Sequence, residues 1–328
     1  MSESDFSAFL ARARERVRTS CRLGGFARDA DQTDADLYGT AAAVGVRIAL
    51  GDAPRGAEAS EIVRGLLAFR RADGLFIDET HGPVHRAATA VTTIRALGGE
   101  PEPPPALRHE LEASRVPAFL DGLSWENPWL ASHDAAGMLA IALICRSDDE
   151  ASREAWRDAY VTWLDDHADG QTGLWPANGM GRLHDEPGLF GNLGCSFHIH
   201  FLYEWIGHSW PSPERVVDTG LTLFEETDTV ISRGSAPVDW GFRQLDWVYS
   251  VGRAARCGHR VAEVDDAIQR LARRAAEAFA DPSAVDGDLH VVQARVGLVA
   301  ELAQHVSARV QTDLSRPLVS IVDERPFI

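Results

Sequence analysis

The sequence predicts an all-α protein, an (α/α)6 toroid in which six helical hairpins form a double barrel. Three observations lead there. Apolar residues recur at helical spacing in twelve segments of the 328-residue chain, with almost no strand alternation. Every second helix is built of small or apolar residues, whereas its neighbours carry dense charge on one face; helices apolar all round are buried. The apolar helices also start at a step of about 48 residues, the mark of a repeat architecture.

In chain order the helical segments are 5–18, 36–50, 57–71, 84–97, 105–121, 133–145, 150–166, 196–207, 213–226, 241–257, 262–280 and 288–305. The even-numbered ones are the inner set, exemplified by Ala41–Leu50, Ala87–Leu97 and Ala135–Cys145. Short breaker-rich links follow them, such as Leu97-Gly98-Gly99 and Cys257-Gly258-His259. Longer links precede them and repeat an Asp-Gly phrase at Asp73, Asp121, Asp169 and Asp286, which turn chemistry explains. Asp36 and Ser132 are placed to cap the inner helices they precede. The organisation expected is one barrel domain over 1–328, with an insertion at about 176–195 and a tail over 306–328.

Composition narrows the chemistry. The formal charge is −17, and all 32 basic residues are Arg. Without Lys there is no Schiff-base amine, no Walker-type phosphate loop and no kinase strand lysine. An acidic chain without a basic stripe is a poor partner for nucleic acid or an anionic membrane. Four scattered Cys lack CxxC spacing and read as thiols in a reducing compartment. No apolar run approaches membrane-spanning length, and residues 1–18 lack an apolar signal core, so a cytoplasmic protein with a small-molecule substrate is expected.

In such a barrel the long connectors gather at one rim, where the inner helices begin. Eight of the twelve His fall in or beside them, among them His81, His85, His133, His198 and His200. The same connectors hold Trp125, Glu126, Trp129, Trp175, Trp240, Arg243 and the acids Asp29, Asp31, Asp239 and Asp246. Imidazoles, carboxylates and indoles around an apolar funnel suit a deep pocket with few polar groups. His81 and His85 stand four apart, but Gly82-Pro83 intervenes, so His81 is expected before the helix; no cofactor and no metal ligands are assigned, the alternative being a metal held by three or more His converging from different helices.

The repeat pattern over roughly 20–305 resembles the terpenoid cyclase and protein-prenyltransferase superfamily of (α/α)6 toroids; six-hairpin glycosidases share the architecture. Asp29-Ala30-Asp31-Gln32-Thr33 is similar to the acidic Asp-x-Asp-Asp-Thr signature of class II terpene cyclases, with Gln32 in place of the second acid of the pair. The resemblance implies a terpenoid cyclase or isomerase. Asp31 would then be the protonating acid, supported by Asp29 or His81. Indole and phenyl faces would stabilise a carbocation, and His133 or Asp246 would take the last proton. The alternatives are a carbohydrate-active enzyme, pairing Asp31 or Glu126 with Asp239 or Asp246, and a non-catalytic helical scaffold.

Overall fold

The computed structural model describes residues 4–146, 149–176, 189–226, 237, 240–306 and 310–328, and their side chains except at 225 and 226. The chain is predominantly helical, as its periodicity predicts. It divides into two compact units: residues 1–54 with 212–324, and residues 55–211 with 325–328. Among the described residues no helix is long and apolar enough to cross a membrane.

The first unit is built on three helices that are buried nearly all round: α2 (Leu37–Ala49), α10 (Phe242–Ala254) and α12 (Leu289–Val306). α12 packs between α2 and α10. Outside them lie α1 (Ser7–Thr19), α9 (Pro213–Glu226) and α11 (Val261–Phe279). α11 buries one stripe, including Val264, Ile268, Leu271 and Ala275, and turns its charge outward. A parallel pair joins β1 (Ser4–Asp5) to β4 (Val310–Gln311), and a hairpin joins β2 (Cys21–Arg22) to β3 (Gly25–Phe26). A short helix, α13 (Ile321–Glu324), rests on α2.

Asp36 caps α2 as expected, accepting the Gly39 N–H at 2.7 Å and also the Arg28 N–H at 2.7 Å. A buried ion network ties α10 to α12. The Arg253 guanidinium lies 3.4 Å from Glu301 and 2.8 Å from Asp323.

The second unit has the same plan. α4 (Pro83–Ala96), α6 (Pro128–Ile144) and α8 (Phe190–Ile206) are the buried helices, with α6 packed between α4 and α8. α3 (Gly56–Ala68), α5 (Val116–Asp121) and α7 (Glu150–Asp166) are more exposed. Two expected boundaries move. The segment 105–121 is two 3-10 stretches, Pro105–Leu111 and Ala113–Arg115, before α5. Its prolines at 103–105 and 117 remove the N–H groups a continuous helix would use. α6 begins at Pro128 rather than 133: Asn127 accepts the Leu130 N–H at 3.1 Å, and Pro128 fills the first helical position. Ser132 is therefore inside the helix, not its cap. The Asp-Gly turns form as predicted at Asp73, which accepts the Leu75 N–H, and at Asp169, which accepts that of Gln171.

A methyl group on residue 39 would overlap three backbone atoms, Arg28 N, Ala27 C and Phe26 O, none of which can rotate away. Gly39→Ala is expected to destabilise the protein by about 3 kcal/mol. Gly170→Ala, which meets no atom within 4 Å, is expected to change it by less than about 0.5 kcal/mol. Urea unfolding of the two variants beside the parent measures the contrast.

Candidate active site

Four imidazoles converge in the second unit. His81 precedes α4, as the Gly82-Pro83 step predicts, and His85 lies in the first turn of that helix. His133 is in the second turn of α6, and His198 is in the middle of α8. The ring centroids are 4.4 Å apart for His81 and His85, 4.5 Å for His85 and His133, 5.7 Å for His81 and His133, and 5.1 Å for His133 and His198. Trp129 sets its ring edge-to-face to His133 at 4.7 Å and is 41% exposed. Phe327, from the far end of the chain, packs at 4.8 Å from His85 and 6.5 Å from His198.

Hydroxyl groups hold two of the rings. Thr80 Oγ1 donates to Asp78 at 2.6 Å and lies 2.9 Å from His81 Nδ1. Ser132 Oγ donates to the Trp129 carbonyl at 2.7 Å and lies 2.9 Å from His198 Nδ1. Burial, reinforced by His81, lowers the His198 pKa to about 3, so its ring is neutral at ordinary pH. Burial alone lowers His200 equally, but that ring is stacked on Trp210 at 3.7 Å and belongs to the packing beneath the cluster. Burial also raises the pKa of Asp134, a half-buried carboxyl whose Oδ1 would stand 3.4 Å from a Cβ on residue 82, beside His81. Cys195, fully buried on α8, has its thiol pKa pushed up by burial.

The His81 and His85 rings are nearly parallel, at 13°. A metal bound to both must lie in both ring planes, and near-parallel planes do not meet between the rings. Among the described residues no group of three His, Cys, Asp or Glu is arranged to hold a metal ion.

The remaining candidates are dispersed. Trp175 is fully buried, donates its indole N–H to the Leu164 carbonyl and fills the core beside Tyr203. Trp125 is also buried, donating to the Leu120 carbonyl and stacking on Trp163 at 5.6 Å. With Trp163, Asp121, His167 and exposed Glu126 it lines a cavity of about 390 Å³. In the first unit, Trp240 is buried against Phe279, and its carbonyl accepts from Arg295. Asp246 is buried on α10, while Arg243 is exposed. Asp239 lies outside the described residues. Asp29 and Asp31 lie in a turn in which Gln32 Oε1 accepts the Asp29 N–H. Asp31 is exposed, outside any apolar pocket.

The first unit has its own polar cluster, of a different kind. Arg28 Nε lies 3.6 Å from Asp36 and 3.9 Å from Asp288, and its guanidinium covers the Tyr38 ring at 5.0 Å. Tyr38 in turn meets His290 edge-on at 5.7 Å. Burial is the largest influence on Asp288 and raises its pKa.

The neutral buried imidazoles give the fold a pH dependence of known sign. The unfolded chain protonates His200 near pH 6.5 and the folded chain only near 3. Stability is therefore full above pH 6.5 and is lost as pH falls towards 3. Between pH 7 and pH 4 this one residue accounts for about 3 kcal/mol. His200→Gln should weaken the protein at pH 7 yet flatten its pH dependence by about that amount, read from urea unfolding at both values; an unchanged slope refutes the assignment. No family model, curated protein or solved structure matches the chain, and the chemistry of the site rests on its own residues.

Proposed function

We propose that the protein is an acid–base enzyme, an isomerase or lyase of the terpenoid-cyclase kind, working at the histidine cluster of the second unit. The observation that carries this reading is the meeting of four imidazoles with a carboxyl of raised pKa at the starts of α4 and α6. The six-hairpin repeat is read with it as an (α/α)6 toroid. Asp134, rather than exposed Asp31, is the general acid: burial raises its pKa, the direction that a proton donor to an alkene or a leaving hydroxyl needs. His133, or the neutral imidazole of His198, takes the proton lost from the neighbouring carbon. The faces of Trp129 and Phe327 supply the electron-rich lining a cationic intermediate needs.

Purified protein incubated with isoprenoid alcohols and diphosphates of several chain lengths, with products identified by mass spectrometry, is expected to turn over an alcohol. His133→Ala and Asp134→Asn should each slow that reaction by on the order of 10²–10⁴-fold. No turnover across the panel, or full activity in both variants, refutes the proposal.

One observation favours a carbohydrate substrate instead. The cavity of about 390 Å³ pairs the indoles of Trp125 and Trp163 with the carboxylates of Asp121 and Glu126, a composition suited to a sugar ring. Thermal stabilisation by mono- or disaccharides that Glu126→Gln abolishes would favour this reading.

A further inference from the structure

Ser132 is fully buried, and its hydroxyl has a fixed set of neighbours. The Trp129 carbonyl, 2.7 Å away, can only accept. The single hydroxyl proton is therefore committed to that carbonyl, the i to i−3 bond that serine makes within helices. What Ser132 Oγ offers to its other neighbours is lone pairs. His198 Nδ1 lies 2.9 Å from it. With the hydroxyl proton on the carbonyl, that bond needs its proton from Nδ1.

From this geometry we infer that Ser132 is a positioning residue: it holds His198 as the Nδ1–H tautomer and leaves the lone pair on Nε2. Nε2 has no hydrogen-bond partner among the described residues, and the ring keeps 6% of its surface accessible. The ring thus enters a reaction as a base. The proton of a C–H next to the cationic carbon moves to Nε2, and the C–H electron pair becomes the new C=C bond and quenches the cation formed when an alkene was protonated or a protonated hydroxyl left as water, while Nδ1–H stays on Ser132 throughout. The opposite tautomer would place a proton where the base is needed. This assignment rests on the reading of the histidine cluster as a proton-transfer site, but its structural half stands or falls separately.

Long-range ¹H–¹⁵N correlation spectra of the ¹⁵N-histidine-labelled protein at pH 7.5 (about one unit above the free imidazole pKa) report each ring's tautomer. The His198→Gln variant identifies the signal by its loss. Two classes of internal reference are built in. His167 Nδ1 faces the Trp163 carbonyl at 2.7 Å and must carry a proton, whereas His208 and His259 present Nε2 to the carboxylates of Asp165 and Asp218. In the parent protein His198 should fall in the first class; an Nε2–H signal overturns the inference without any variant being made. Ser132→Ala should shift His198 to the Nε2–H form and lower turnover, whereas Ser132→Thr should preserve the Nδ1–H signal. A tautomer unmoved by Ser132→Ala also overturns it. An Nδ1–H signal in a protein that turns over no isoprenoid refutes the proposed function and leaves the role of Ser132 in place.

Discussion

The arrangement of the second unit depends on how closely α6 approaches α4. A Cβ on Gly137 would sit 3.1 Å from Val84 Cγ1, 3.4 Å from the Val84 carbonyl and 3.4 Å from Ala88 Cβ. Hydrogen in place of a side chain lets one helix lie against the backbone of the other. That contact is one turn along from His133 and from His85, and it brings their rings to 4.5 Å. A larger residue at 137 would part the helices and separate the imidazoles before it touched either of them. Small residues on the inner helices are thus what concentrates polar chemistry at their first turns. In the first unit Gly45 leaves comparable room for the buried Gln293 side chain, and Gly297 for Leu245.

Solvation decides what those first turns can do. In the first unit Arg28 lies between two carboxylates and an aromatic face, so its charge is engaged where it stands. In the second unit the equivalent helix starts carry the imidazoles of His85 and His133. Removed from water, His198 is neutral, and the same burial that denies it a proton raises the pKa of Asp134. Burial thus moves the carboxyl towards holding a proton and the imidazole towards lacking one, the directions a donor and an acceptor need.

Much of this was legible in the sequence. Twelve helical segments, their alternation between charged and apolar, and the gathering of histidines at the starts of apolar helices follow from spacing alone. His81, His85, His133 and His198 come together because that spacing repeats in structure. Ser132 was misread because a Pro at the first helical position and an Asn before it mark an earlier start than the apolar run does. Exposed Asp31 shows a different limit: an acidic phrase fixes a turn, but not which of its carboxylates turns away from water. Trp175 and Trp240 show the same for indoles, since a residue near a connector is as readily drawn into the core as left at the rim. No local pattern announces Phe327, which reaches the cluster from more than a hundred residues away in sequence.

The placement of Phe327 bears on how the cluster holds its neutrality. Arg325, two residues earlier, is itself buried, and burial lowers its pKa to about 10; it donates to Thr93 on α4 at 3.2 Å. That bond ties the segment 325–328 to the same helix that carries His85. A phenyl ring over His85 and His198 excludes water from two imidazoles while offering neither a hydrogen bond that would fix a proton. Hydroxyl groups from Thr80 and Ser132 orient His81 and His198, and the Phe327 ring covers His85 and His198. Orientation and dryness therefore come from different parts of the chain, and a change at Phe327 would alter the basicity of the imidazoles while leaving their hydrogen bonds intact.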